Sequence, residues 1–309
     1  MKAHNSILVP RLTNPSLIKT PCDEEAVANP VLKWAGGKRQ IIDEVLRRFP
    51  ADFKKRTLHE PMFGAGAVTF AVEPRRGTVN DINKRLMNFY RIVRDCPNEL
   101  IDANKKHRVS QNYFYEARAR FNSGINRDID PVEEASLLLY LNRTCYNGLY
   151  RENQKGEFNV PFGRYRNPDI IQTDAIARAS EILRNLKIKD GDFGYVVGEA
   201  VKGDVVYFDP PYQPVSQTSS FTSYHKSSFA DDEQERLRDA VIKLHKRKVF
   251  VILSNSNTRA IRQLYGRIGD LELTTIQARR AINSNGSKRG EVGEIIVTNV
   301  PANIQGWQF

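Results

Sequence analysis

Cysteine is scarce in this chain: Cys22, Cys96 and Cys145 are the whole complement, odd in number and far apart. That spacing argues against a disulfide framework or a cysteine-rich metal centre, and no metal is expected; it also points to a reducing compartment. Long hydrophobic runs are missing too. No apolar stretch approaches membrane-spanning length, and Ile7-Leu8-Val9 near the start is far too short for the core of a signal peptide, so a soluble cytoplasmic protein is expected. No internal repeat is apparent. Acidic residues fall short of basic ones, 36 against 47, which leaves a formal charge of +11 and a pI near 9.5. Such an excess directs attention to a polyanionic partner, nucleic acid first. The chain has 309 residues, enough for one large domain or for one domain carrying an inserted module.

The stretch around which the rest can be ordered is Asp209-Pro210-Pro211-Tyr212, directly after the apolar run Val205-Val206-Tyr207-Phe208. That run reads as a buried strand, so the acid stands where the backbone leaves the sheet. In open α/β sheets ligands bind at the carboxyl ends of strands, and two successive prolines fix φ and hold the preceding carboxylate and carbonyls in one orientation. The product is a rigid acceptor corner. Asp209 and the Pro210 carbonyl can accept hydrogens from an exocyclic amino group while the Tyr212 ring stacks on a planar heterocycle. The alternative is a plain turn after a strand.

Residues 1–30 carry Pro10, Pro15, Pro21 and Pro30 without sustained periodicity and read as an extended or disordered leader. Val31-Leu32-Lys33-Trp34-Ala35-Gly36-Gly37-Lys38 is a glycine turn opening a helix with Ile41, Ile42, Val45, Leu46 and Phe49 on one face. Its N–H groups suit an anion. The P-loop pattern is not met, because the first glycine is absent and Arg39 follows Lys38 where Ser or Thr is required; a ligand carboxylate fits better. Next come a strand ending at Glu60 and the turn Gly64-Ala65-Gly66, whose glycines let a ligand approach the backbone closely. A second strand ends in Asp81, at the spacing where dinucleotide-type folds bind ribose hydroxyls. This pattern does not separate nicotinamide from other nucleoside cofactors.

A helix is expected over 83–95, with Leu86, Phe89, Tyr90 and Val93 toward the core, and beyond Pro97 the composition changes. Asp130-Pro131-Val132-Glu133 has the form of an N-cap, a first-turn proline and an acidic third position, and an apolar helix over 135–141 follows. Two β-rich runs then flank Asn153-Gln154-Lys155-Gly156, which predicts a hairpin. Residues 142–166 hold five basic and two acidic side chains, with Tyr146, Tyr150, Phe158, Phe162 and Tyr165 interleaved. Such a ribbon suits a DNA groove, with arginine for guanine edges, asparagine for adenine and cations for phosphate. An amphipathic helix is expected over 174–186, a turn at Asp190-Gly191-Asp192-Phe193, and a loop over the site at 216–229. Asp231 starts a helix, and 248–255 is a second buried strand. Arg279, Arg280, Lys288 and Arg289 form a run without acids, suited to phosphate contact, before 294–298 closes the sheet.

Taken together, these stretches resemble the Dam-type (D12 class, alpha group) DNA adenine-N6 methyltransferases. L-K-W-A-G-G-K, E-P-M-F-G-A-G-A-V, N-D-I-N, L-N-R-T-C-Y-N-G-L-Y-R, G-E-F-N-V-P-F-G-R-Y and D-P-P-Y occur in that family's order, over nearly everything after Val31. The resemblance implies an α/β, Rossmann-like S-adenosylmethionine-dependent sheet formed by 31–97 and 167–309, with 98–166 inserted as a helical and β-hairpin target-recognition domain. It implies that Trp34, Lys38, Gly64, Gly66 and Asp81 bind S-adenosyl-L-methionine, with Asp192 and Phe193 at its adenine. Asp209, Pro210, Pro211 and Tyr212 would hold the target base. Tyr146, Asn147, Leu149, Arg151, Asn159 and Pro161 match the family's recognition hairpin, and enzymes with this set read GATC; Arg164, Tyr165, Arg279, Lys288 and Arg289 would add contacts to double-stranded DNA. Tyr150 and Glu152 depart from the pattern beside Arg151, and relatives that modify longer sites beginning GAT share part of the hairpin. Methyltransferases for cytosine or a protein glutamine usually carry Ser or Asn before P-P-Y, which Asp209 argues against. A catalytically inactive DNA-binding protein with this fold would need a damaged cofactor site, and the sequence shows none. No obligate protein partner is evident.

Overall fold

The computed structural model describes residues 28–34, 38, 41–211, 231–279 and 291–307. Most of the expected leader, the glycines of the 35–37 turn, Tyr212, the 216–229 loop, Arg280, Lys288 and Arg289 lie outside the described residues. The apolar run after Asp204 is a strand with every residue buried, and it takes a central place in a seven-stranded sheet. In chain order the strands are β1 (Leu58–Glu60), β2 (Gly77–Asp81), β3 (Leu186–Asp190), β4 (Val205–Phe208), β5 (Phe250–Ser256), β6 (Glu272–Arg279) and β7 (Glu291–Thr298). They lie side by side as β3-β2-β1-β4-β5-β7-β6. β1 to β5 pair in parallel, and β7 runs antiparallel to both β5 and β6. This is the expected Rossmann-like sheet. Strand order reverses between β1 and β4, so a crevice opens there at the carboxyl ends of the strands.

The helices are α1 (Ile42–Leu46), α2 (Ala67–Val72), α3 (Lys84–Asp95), α4 (Pro97–Asn104), α5 (Gln111–Ser123), α6 (Pro131–Thr144), α7 (Thr173–Leu183), α8 (Tyr195–Glu199), α9 (Asp231–Lys246) and α10 (Arg259–Tyr265). Among the described residues no helix is long and apolar enough to cross a membrane. Alternation along the strands divides the core. Val205, Tyr207 and Ile252 pack with α1 and α2 on one face, while Val206, Phe208, Val251 and Leu253 pack with α9 and α10 on the other. Such two-sided burial explains why the central strands read as continuous apolar runs. Leu86, Phe89, Tyr90 and Val93 of α3 are fully buried, as their spacing predicts, and Asn83 caps the helix by accepting from the Leu86 N–H.

Two stretches differ from expectation. The helix read over 174–186 stops at Leu183, and Leu186–Asp190 is the edge strand β3, whose partner β2 is distant in sequence. Residues 98–123 hold most of α4 and all of α5; Ser110 caps α5, and its Phe114, Ala117 and Phe121 recur at helical spacing on the buried face, with both helices packing against α6. The first β-rich run begins later than expected, because α6 continues through Thr144, whose hydroxyl donates to the Tyr140 carbonyl. The hairpin itself is short, with antiparallel bridges Cys145↔Phe162 and Glu152↔Phe158. Phe114, Phe121, Leu138 and Phe158 share one core with Val79, Leu86 and Leu186, so the helical insertion packs directly on the sheet's own helices.

One buried side chain ties this insertion to the segment before the first helix. Asn142 on α6 accepts from the Lys33 N–H at 2.9 Å and donates to the carbonyls of Lys33 at 2.7 Å and Gly148 at 3.1 Å. Removing it strands backbone groups away from water. Asn142→Ala is expected to lower the unfolding free energy by roughly 2–4 kcal/mol, and urea titration of the two proteins checks it; a difference within about 0.5 kcal/mol would show that Lys33 finds other partners.

Candidate active site

Four strand ends converge on the crevice. At the end of β1 the chain turns through Gly64 (φ 50°) and Gly66 (φ 72°), left-handed conformations that disfavour any side chain. At Gly66 a Cβ would stand 2.4 Å from the Phe63 ring, so the turn closes only without one. Asp81, ending β2, ties the turn down: one carboxylate oxygen accepts from the Gly64 N–H at 3.0 Å and the other from the Asn83 N–H at 2.9 Å. A carboxylate has lone pairs to spare for ligand hydroxyls beyond these. Beneath the turn, Glu60 is buried and accepts from the N–H and hydroxyl of Thr69. Burial pushes its carboxyl up to about 8, which makes it a neutral acid at physiological pH.

Asp209 follows β4 on the other side of the switch point. The Lys38 ammonium, itself buried, lies 3.0 Å from Asp209 Oδ1 and 3.8 Å from Glu294 Oε2 on β7. Ser254 within β5 also donates to Asp209 Oδ1, at 3.3 Å. Burial raises the Asp209 carboxyl above its usual range; Lys38 opposes the rise and Glu294 adds to it. Lys38, expected at the cofactor, thus has its charged end on the acceptor corner. Pro210 is buried behind that corner and Pro211 is exposed.

Asp192, just past β3, accepts from the Gly194 N–H and pairs with Arg236 of α9, whose guanidinium also lies over the Phe193 ring at 4.3 Å from its centroid. Although burial acts to raise it, these partners hold the Asp192 carboxyl below its usual range. Ile82, next to Asp81, leaves 73% of its surface exposed at this edge. Trp34 stands against Gly64, where a Cβ would come within 3.2 Å of its ring, and stacks on Tyr150 of the hairpin with centroids 4.9 Å apart.

The hairpin brings its expected residues together in pairs. The Tyr146 N–H donates to the Pro161 carbonyl at 2.8 Å, and Arg151 Nε donates to Asn159 Oδ1 at 2.7 Å. Tyr146, Asn147, Pro161 and Arg164 are exposed, Leu149, Arg151, Asn159 and Tyr165 half-buried. Asn147 and Arg164 both adopt positive φ, which bends the ribbon at those points. Lys33 lies over the Tyr165 ring. The backbone of Arg279 pairs with Glu291 at the far end of the β6–β7 ladder. Ser254, Glu294, Arg236 and Asn142 carried no local signal in the sequence, because each acquires its role from a partner on another element. Tyr150, one of the aromatics interleaved along the hairpin and a departure from the family's pattern, stacks on Trp34 and donates a hydrogen bond to Glu152.

A family model for the D12 class N6 adenine-specific DNA methyltransferases matches residues 34–282. The chain is similar to the Type II methyltransferase M1.LlaDCHI of Lactococcus lactis subsp. cremoris, 41% identical over 274 residues, which covers 87% of this chain and 95% of that protein. It is similar to the DNA adenine methylase of Escherichia coli K12, at 37% identity over 270 residues and the same coverage of both. Among solved structures, the rRNA methyltransferase aviRa from Streptomyces viridochromogenes covers 90% of this chain with 92% of its own, at 11% identity and a TM-score of 0.36. With the matched region spanning most of its length, the chain belongs to the D12 class of N6 adenine-specific DNA methyltransferases.

Proposed function

We propose that this enzyme transfers the methyl group of S-adenosyl-L-methionine to the 6-amino group of adenine within GATC in duplex DNA. One observation supports the chemistry above the others. Asp209 stands at the switch point with Oδ1 held by Lys38 and Ser254, and among the described residues Oδ2 has no protein partner. That oxygen and the Pro210 carbonyl are the acceptors for an exocyclic amino group. The adenine 6-amino lone pair is delocalised into the ring; two acceptors on its hydrogens favour a more tetrahedral, more nucleophilic nitrogen. Such a step needs no covalent enzyme intermediate.

The cofactor reading rests on the strand ends. Acceptor-only carboxylates at Asp81 and Asp192 suit ribose hydroxyls and an adenine amino group, and the side-chain-free turn at Gly64 permits close approach of the ligand to the backbone. Trp34, Ile82 and Phe193 supply apolar surface around them. When bound, the sulfonium supplies an already activated methyl group. The protein's part is alignment: holding the amino nitrogen in line with that methyl recovers much of the entropy cost of bringing two molecules together. A base inside a duplex cannot reach the corner, so it is flipped out, with Tyr212 assigned to stack on it.

Residues 98–166 are assigned to target recognition and the remainder after residue 30 to catalysis. The GATC reading is supported by the paired placement of Tyr146 with Pro161 and Arg151 with Asn159 on one ribbon. Arg279, Lys288 and Arg289 are assigned to phosphates.

Asp209→Ala should reduce single-turnover methyl transfer roughly 100-fold or more while equilibrium binding of cofactor and DNA stays near wild type. Asp81→Ala should instead weaken cofactor binding about tenfold. Near-normal turnover in the Asp209 variant would exclude the acceptor corner, and labelled methyl recovered in cytosine would exclude the adenine assignment.

Sequence reading has a separate test. A guanidinium bonding a guanine edge bidentately is worth roughly 1–3 kcal/mol of discrimination, so Arg151→Ala should cut discrimination at one guanine-bearing position about tenfold. Lys288→Ala should weaken binding to all sequences alike and flatten its salt dependence. Competition kinetics on GATC and singly substituted duplexes measure both; equal loss on every duplex would make Arg151 a backbone contact.

A further inference from the structure

Behind the acceptor corner lies a buried hydroxyl chain that the reaction as described so far does not use. β4 and β5 pair in parallel with Tyr207 opposite Ile252 and Phe208 opposite Leu253; continuing that register sets Asp209 opposite Ser254. Tyr207 and Ser254 are 1% and 0% exposed. The Tyr207 and Ser254 hydroxyl oxygens lie 2.9 Å apart, and Ser254 Oγ lies 3.3 Å from Asp209 Oδ1. The direction of the chain follows from chemistry. An ionised carboxylate only accepts, so the single Ser254 proton is committed to Asp209, and Ser254 Oγ must accept from the Tyr207 phenol. Burial pushes that phenol far above its ordinary range, so it remains a donor throughout.

We propose that Ser254 and Tyr207 are positioning residues, a two-hydroxyl relay that holds Oδ1 of Asp209 and presents Oδ2 to the target amino group. The inference rests on the proposed role of Asp209. Its physical basis is that hydrogen bonds in series polarise one another away from water, and each one made to the charged form favours that form. Lys38 supplies charge but comes from the segment before α1, on a long flexible stem. Ser254 and Tyr207 are fixed to adjacent strands of the central sheet, so they hold orientation. The groups acting on Asp209 are Lys38 from the segment before α1, Glu294 from β7, Glu60 from β1, and these two hydroxyls from β4 and β5. Lys38, Ser254 and, through it, Tyr207 favour the ionised carboxylate, whereas Glu294 opposes it and Glu60, held neutral by its burial, brings no charge against it.

Loss of the Ser254 bond therefore moves the Asp209 titration upward, and a reaction that needs ionised Asp209 loses rate on its acid side. The test follows the Asp209 carboxyl by 13C NMR in the unliganded protein, with Asp209→Asn identifying the resonance, beside pH profiles of kcat for the loaded enzyme. In Ser254→Ala the titration midpoint and the acid limb of the profile should both rise by about one unit, a roughly tenfold loss of kcat on that limb, with Kd for DNA and cofactor unchanged. Tyr207→Phe, which keeps the ring, should shift both in the same direction by less. An unmoved midpoint in Ser254→Ala overturns the relay, as does a rate loss caused by weakened DNA or cofactor binding alone. Should Ser254→Ala not fold, Tyr207→Phe decides by the same readout. Absence of methyl transfer to adenine by the wild-type protein would refute the functional reading instead, and the NMR titration would still decide whether the hydroxyls hold Asp209.

Discussion

The corner at Asp209 depends on one ion pair in a partly enclosed place. A carboxylate withdrawn from water is costly unless paired and hydrogen-bonded, and here the Lys38 ammonium at 3.0 Å supplies the charge while Ser254 supplies a hydroxyl. Both act on the same oxygen. The sheet makes this possible by placing β4 between β1 and β5, so that residues far apart in sequence meet where the strand order reverses. Glu294 then shares the lysine from the antiparallel strand β7, which explains why a second carboxyl can stand so close to the corner.

The glycine turn after β1 and the hairpin that follows α6 are connected by contact. Gly64 abuts Trp34, Trp34 stacks on Tyr150, and Tyr150 leads directly into Arg151 and Glu152. Asn142 adds a second tie by bonding the Lys33 peptide and the Gly148 carbonyl at once. The segment carrying Lys33 and Trp34 is therefore held on the insertion as well as at the crevice. Close packing of this kind leaves little freedom for the hairpin to shift without moving Trp34.

Charge is unevenly distributed. Carboxylates gather at the strand ends, and each is tied to a cation or to backbone N–H groups. Basic residues outnumber acids along the hairpin, where a polyanion would lie. Glu60 is the exception, kept neutral beneath the glycine turn by its burial.

The amino-acid sequence by itself determined the parts whose signal is local. Continuous apolar runs marked β4 and β5 because both faces of those strands are covered; Leu86, Phe89, Tyr90 and Val93 marked α3 by their period, and Asp130 marked the start of α6 because a capping side chain bonds an N–H three residues away; and Asp81 and Asp209 marked strand ends. The turn glycines at Gly64 and Gly66 were readable because glycine adopts positive φ without the steric cost that a side chain brings. Tertiary structure alone decided the rest. Edge strand β3 exists only because β2 pairs with it, and α4 and α5 find the surface that buries their apolar faces on α6. Lys38 came to Asp209, and Ser254 and Glu294 joined it, through a strand order that no local pattern encodes. A residue's type states what it can donate or accept; which partner it meets is set by contacts between segments distant in the chain.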